Sequence, residues 1–152
     1  MSETSSPPLA GSLDADGVHR LTLRVYYEDT DFSGVVYHAG YLRFFERGRT
    51  DKLRCAGVDQ SVLHAGGAGT AFAVRRMTVD WLRAARMDDI LTVETRTLDV
   101  RGATITMAQR ILRGEEVLTT ADVLVAALRE GRPARIPAEL REVLEGRGTA
   151  SR

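Results

Sequence analysis

One stretch limits what this chain can fold into: residues 26–57, YYEDTDFSGVVYHAGYLRFFERGRTDKLRCAG. It begins as a strand, breaks in an acidic turn containing a glycine, EDTDFSG, and continues as the longest helix-compatible segment of the sequence. From His38 or Ala39 onward, Tyr41, Leu42, Phe44, Phe45, Gly48, Leu53 and Cys55 recur at spacings of three and four, with Arg43, Arg47, Arg49 and Asp51 between them. That period predicts an amphipathic helix of about five turns, roughly 27 Å long, with Gly57 as its stop. The aromatic load of the apolar stripe predicts a helix wrapped by a sheet.

The flanks supply that sheet. Residues 19–27, HRLTLRVYY, set Leu21, Leu23, Val25 and Tyr27 against polar partners, the period of a half-buried strand. Four further strand segments follow the helix, at 71–82, 89–100, 103–113 and 116–128. Their short links predict antiparallel neighbours, because a parallel crossover needs a dozen or more residues. Residues 58–69 are read as one short helix ending in the Gly66–Gly69 loop. Residues 1–17, rich in Ser, Pro, Gly and Asp, are read as a disordered tail. The predicted domain is 18–132. The tail 133–152 holds a short helix that starts at Pro137 and stops at Gly146. The expected class is α+β, one long helix against one five-stranded antiparallel sheet.

Composition narrows the function classes. The 152 residues carry 21 basic and 21 acidic side chains, a formal net charge of zero, which argues against nucleic acid or an anionic membrane as partner. No apolar run approaches a membrane span, and the N-terminus lacks the pattern of a secretory signal. A single cysteine, Cys55, excludes an intrachain disulfide and fits a reducing, cytoplasmic setting. The sequence has no P-loop, GxGxxG, HExxH or GxSxG. The histidines at 19, 38 and 64 lack metal-ligand spacing, so no metal or other cofactor is expected. Cys55, in the middle of the helix pattern, reads as a small buried hydrophobe.

Two turn aspartates, Asp29 and Asp31, each fit two roles. Either can hold an Asx turn or helix cap, or act as a base or nucleophile beside a helix start, whose unpaired N–H groups stabilise a developing oxyanion. At His38 the backbone N–H matters more than the imidazole, since it points out of the helix start whatever the side chain is. Arg75, Arg76 and Arg101 fit solvated strand positions or phosphate clamps equally well. Trp81 reads as core or interface.

Those residues carry a resemblance. The run RVYYEDTDFSGVVYHAGYLRFFERGRTDKLR, with its D-x-x-G-V-V-Y-H core from Asp31 to His38, resembles the active-site segment of the 4-hydroxybenzoyl-CoA thioesterase-like hotdog-fold family. It looks closest to the Tol-Pal-associated acyl-CoA thioesterases of bacteria. The likeness continues through FAVRRMTVDWLRAARMDDILTVETRT, RGATITMAQRI and TTADVLVAAL, about residues 20 to 130. It departs at the polar N-terminus, at Phe32-Ser33 and at the Gly66–Gly69 loop.

The resemblance implies a hotdog fold, a homodimer or homotetramer, and an acyl-CoA substrate, or one carried by acyl-carrier protein, bound between subunits. It implies Asp31 as catalytic nucleophile or general base, the His38 N–H polarising the thioester carbonyl, and Tyr37 and His38 side chains lining the pocket. Gly34, Val35, Arg75, Arg76, Arg101 and Thr104 become substrate or CoA contacts. A hotdog hydratase or dehydratase, and a non-catalytic acyl-thioester binding module, are the competing readings.

Overall fold

The computed structural model describes residues 11–57 and 69–145. The elements run β1 (Ser12–Leu13), β2 (His19–Arg24), a 3₁₀ turn (Tyr27–Asp29), α1 (Gly40–Cys55), β3 (Thr70–Trp81), β4 (Ile90–Val100), β5 (Thr104–Arg113), β6 (Glu116–Arg129), β7 (Arg132–Pro133) and α2 (Ala138–Leu144). The class is α+β, one long helix against one antiparallel sheet, in the order β1-β2-β4-β5-β6-β3 with β7 beside β6.

Among the described residues, seven strands stand where five were expected. The two extra ones are two-residue pairings too short to show a period: β1 on β2, and β7 on β6. Residues 11–17, expected within the disordered tail, are tied down by β1 and by Asp14, whose carboxylate accepts the N–H groups of Asp16 and Val18. The expected short helix and all of the Gly66–Gly69 loop but Gly69 fall outside the described residues, as does the Gly146 stop.

β4, β5 and β6 form hairpin neighbours as their links predict. The link from β3 to β4 does not, because β3 pairs with β6 on the far edge and the chain crosses back to pair β4 with β2. β3 is therefore a twelve-residue edge strand, interrupted by a bulge between Val74 and Arg76. Further bulges interrupt β4/β5 and β5/β6, and bulges bend strands.

α1 buries Tyr41, Phe44, Phe45, Gly48, Lys52 and Leu53. Its apolar members meet the inward residues Leu91 and Val93 of β4, Ile105, Met107 and Ile111 of β5, and Ala121, Val123 and Val125 of β6 in one cluster. Complete burial of each large apolar side chain contributes about 1.5–3 kcal/mol. Gln109 anchors the helix to the sheet: its amide donates to the Phe45 carbonyl and to Thr95 Oγ1, both at 2.9 Å, and accepts from Arg49. Gly57, at φ 90°, ends the helical segment, its N–H bonding the Arg54 carbonyl. α2 closes the far end of the core with Leu140 and Leu144.

Candidate active site

The acidic turn is a hairpin built from backbone. Val25 is fully buried and exchanges bonds with Asp88 and Asp89. Asp29 then accepts the Tyr26 N–H at 2.8 Å, which closes the 3₁₀ turn. Thr30 and Val36 form an antiparallel bridge. Inside it the Asp31 N–H donates to the Val35 carbonyl (2.9 Å) and the Gly34 N–H to the Asp31 carbonyl (3.0 Å). Gly34 sits at φ 82°, a conformation that favours glycine. Val36 is buried and its N–H donates to the Ala85 carbonyl at 2.8 Å, so the hairpin is fastened to the segment after β3.

This geometry separates the two aspartates. Asp29 is structural: its carboxylate holds the 3₁₀ turn, and its carbonyl accepts the Tyr37 N–H at 3.1 Å. Asp31 lies at the hairpin tip. Its Oδ1 accepts the Ser33 N–H at 2.8 Å, and among the described residues Oδ2 has no partner. One carboxylate oxygen thus fixes the rotamer and the other remains open to solvent or substrate.

The helix start is equally open. α1 has no side-chain cap at Ala39. The Gly40 N–H turns back to the Tyr37 carbonyl (2.7 Å) and the Leu42 N–H to the Ala39 carbonyl (3.1 Å), while the His38 N–H has no acceptor among the described residues. Helix starts leave their first N–H groups unsatisfied, and the aligned peptide dipoles give that end partial positive charge. An uncapped start a few residues beyond a hairpin carboxylate offers the two kinds of group that hold a developing oxyanion and deliver or activate a nucleophile.

Around this junction the side chains of Tyr37, His38 and Trp81 form a series of rings. Tyr37 and His38 lie with centroids 4.4 Å apart, and His38 meets Trp81 edge-on at 5.9 Å. The Trp81 indole N–H donates to the His38 carbonyl at 3.0 Å. No hydrogen bond joins the His38 imidazole to Asp31 among the described residues. Trp81, read as core or interface, is an exposed residue at the end of the edge strand, bonded to the helix junction. Its type and position gave no signal of that contact, which joins residues 43 apart.

Asp31, Gly34, Val35, Tyr37 and His38 therefore gather at one end of β3. The remaining expected contacts do not join them within one chain. Arg75 and Arg76 are exposed at the β3 bulge. Thr104 pairs with Ala126, which pairs with Ala73, and Arg101 lies just beyond it, bound to Asp99 at 2.7 Å. Eight strand residues separate Ala73 from Trp81, about 26 Å.

A cavity of about 270 Å³ lies between α1 and the sheet. Leu53, Phe72, Val74, Ile105, Met107 and Val125 give it apolar walls, and Glu46, Arg49 and Thr50 line its helix side. Burial lowers the Arg49 pKa, with Glu46 acting in the opposite direction. Glu46 lies six residues beyond Gly40, about 9 Å along the helix from the junction.

At the other end of α1, His19, Asp51 and Cys55 come together although their spacing gave no sign of it. His19 Nε2 lies 2.6 Å from Asp51 Oδ2, and the Cys55 thiol points at Asp51 and at the Gly11 carbonyl. Cys55 is thus a half-buried hydrogen-bond donor instead of a plain buried hydrophobe. The 2.6 Å contact is of hydrogen-bond length, and the group clamps the N-terminal segment onto the helix.

Proteins similar to this chain include thioesterases. Residues 25–144 match the family model of the thioesterase-like superfamily. The acyl-CoA thioesterase YbgC of Haemophilus influenzae is 46% identical over 121 residues, covering 78% of this chain and 88% of that protein. The crystal structure of a probable thioesterase from Bartonella henselae superposes with a TM-score of 0.76 at 47% identity, over 79% of this chain and 99% of the other. A Thermus thermophilus thioesterase, solved with coenzyme A and Zn, superposes with a TM-score of 0.71 at 27% identity, over 82% of this chain and 95% of that one.

Proposed function

This chain belongs to the thioesterase-like superfamily, and from that membership we infer that it is an acyl-CoA thioesterase, hydrolysing the thioester to a free acid and coenzyme A. Asp31 acts as nucleophile or as general base on water, and the His38 N–H polarises the thioester carbonyl. The observation that carries the reading is the pairing of an Asp31 carboxylate with one open oxygen and an uncapped helix start whose His38 N–H is uncommitted.

In the mechanism, the thioester oxygen sits against the His38 N–H. Attack on the carbonyl carbon moves an electron pair onto that oxygen, where the N–H and the positive end of α1 stabilise it. Collapse expels the CoA thiolate, and one water per turnover supplies the hydroxyl of the acid. One such donor supplies about 3 kcal/mol of transition-state stabilisation. Tyr37 and the His38 ring border the acyl group, with Gly34 and Val35 forming the adjacent wall. The cavity alongside α1 is the natural seat for an acyl chain running away from the junction.

The working unit is a homodimer or a larger homo-oligomer. Two features support this: β3 has a free twelve-residue edge with Val74 and Trp81 exposed on it, and Arg101 and Thr104 lie about 26 Å from the junction along the sheet. Antiparallel pairing of two β3 edges would bring the Thr104 end of one chain toward the Asp31 end of the other. Arg75, Arg76 and Arg101 would then supply charges for the CoA phosphates, which guanidinium groups suit well. Acyl-carrier protein presents its acyl group on the same phosphopantetheine thiol as coenzyme A, and its thioester is the second substrate to assay. The single cysteine fits a cytoplasmic setting.

Thiol release from a panel of short, long and aromatic acyl-CoAs tests the reading. Asp31→Asn should keep the fold and lower turnover by orders of magnitude. Hydrolysis by that variant at the wild-type rate would sink the assignment. Tight binding of acyl-CoA by the wild type without thiol release would mark a binding module.

A further inference from the structure

We propose that Trp81 is a positioning residue for the helix junction, holding the His38 carbonyl so that the preceding N–H stays free to receive the thioester oxygen. The proposal rests on the thioesterase reading above and extends it to a residue on the edge strand.

At the start of α1 the hydrogen bonds depart from the regular helical pattern. In an α-helix the His38 carbonyl would accept from the N–H four residues on, Leu42. Here the Leu42 N–H goes to Ala39 at 3.1 Å, and the Gly40 N–H goes to Tyr37 at 2.7 Å, both three residues back. The first turn is therefore tightened, and the His38 carbonyl is left out of the helix ladder. The Trp81 indole N–H takes that place at 3.0 Å. Its ring also meets the His38 imidazole edge-on at 5.9 Å, so two contacts fix the same residue.

Without that donor, the open carbonyl can recruit Leu42, and the helix can grow by one residue toward the hairpin. Such growth rotates the peptides of the junction and re-aims the His38 N–H. The held geometry thus depends on β3, because Trp81 is pinned opposite Thr119 of β6, and the Leu82 and Arg83 N–H groups both donate to the Leu118 carbonyl. Indole suits the position because it donates one hydrogen bond, accepts none, and carries a large ring that resists reorientation. Trp81 needs no contact with the reacting atoms: it holds the 38–39 peptide by its carbonyl, and its effect reaches the His38 N–H of the adjoining 37–38 peptide through the Cα of His38.

Trp81→Phe removes the N–H and keeps an aromatic ring, and Trp81→Leu removes both. On an acyl-CoA that the wild type hydrolyses, Trp81→Phe should lower kcat about tenfold with KM within about twofold, the scale of one neutral hydrogen bond. Trp81→Leu should fall further. Urea unfolding and oligomer mass guard against a purely structural effect and should stay near wild type for Trp81→Phe.

The decisive readout is vibrational. Acyl-CoA bound to Asp31→Asn should show its thioester C=O stretch shifted down from the value in water, and adding Trp81→Phe should move it back up. A fall in kcat with no change in the stretch, or an unchanged kcat, overturns the Trp81 assignment and leaves the thioesterase reading standing. Absence of thiol release from every acyl-CoA by the wild type overturns that reading, and the Trp81 assignment with it.

Discussion

A methyl group on Gly48 would come within 2.7 Å of Val93 Cγ1, and within 2.9 Å of Thr95 Oγ1. Helix and sheet touch here backbone to side chain. Alanine at 48 gains about 1 kcal/mol of helix propensity but overpacks a close contact at about 1–3 kcal/mol, so Gly48→Ala should lose up to about 2 kcal/mol net. Gly48→Val adds two more carbons with no room beside Gln109 and should cost several kcal/mol. Urea midpoints of the two variants check the order, and a Gly48→Val protein as stable as wild type would contradict this packing.

Gln109 is buried, and its amide serves Phe45, Thr95 and Arg49 at once. Gln109→Leu keeps most of the volume and strands the buried Thr95 and the half-buried Arg49 without their partner. Each abandoned buried polar group costs about 1–3 kcal/mol, more where charged. We predict a loss of at least about 2 kcal/mol by chemical denaturation, larger than for Thr95→Val, which removes a single hydroxyl from the same network.

Stability should depend on pH through His19. Burial holds its folded-state pKa below the ordinary 6.5, with Asp51 pulling it up and Lys52 pushing it down. Cys55 completes the groups around the ring. Above pH 6.5 neither state binds the proton and the full contribution is present. As pH falls through that value the unfolded chain protonates first, so stability declines until the folded pKa is reached. Asp89 and Glu94 have pKa values below the ordinary 3.8 and 4.5, so their losses begin at lower pH. Urea midpoints at about pH 5 should lie below those at about pH 7.5, and His19→Gln should remove most of that difference.

The free β3 edge carries a prediction about mass. Light scattering on the eluting protein should give at least twice the 16.7 kDa of one chain. A twelve-residue edge that is unpaired among the described residues, with exposed Val74 and Trp81, is a ready template for strand pairing. A monomer with full turnover would show that Arg101 and Thr104 play no part in the reaction.

Most of the local architecture was legible in the residues. The three- and four-residue spacing from Tyr41 to Leu53 marks the buried stripe of α1, and alternation marks β2, because side-chain direction repeats with the backbone period. The EDTDFSG turn, the helix start near His38 and the Gly57 stop are likewise local. Residue chemistry alone did not choose between Asp29 and Asp31, since both are turn aspartates, and it was the family resemblance that pointed to Asp31. In the structure the bond from Tyr26 commits Asp29 to the turn, while Asp31 accepts from Ser33 through one oxygen.

The sequence by itself determined the elements, their order, and the stretch in which a carboxylate meets a helix start. Tertiary structure alone decided the rest: β3 on the outer edge beside β6, Trp81 on the His38 carbonyl, and His19 against Asp51 and Cys55. The two short strands belong to this second group. The reason is physical. Periodicity reports which face of an element is buried, whereas contacts between residues 32 or 43 apart depend on strand order and register. Those are fixed only when the whole sheet closes over the helix.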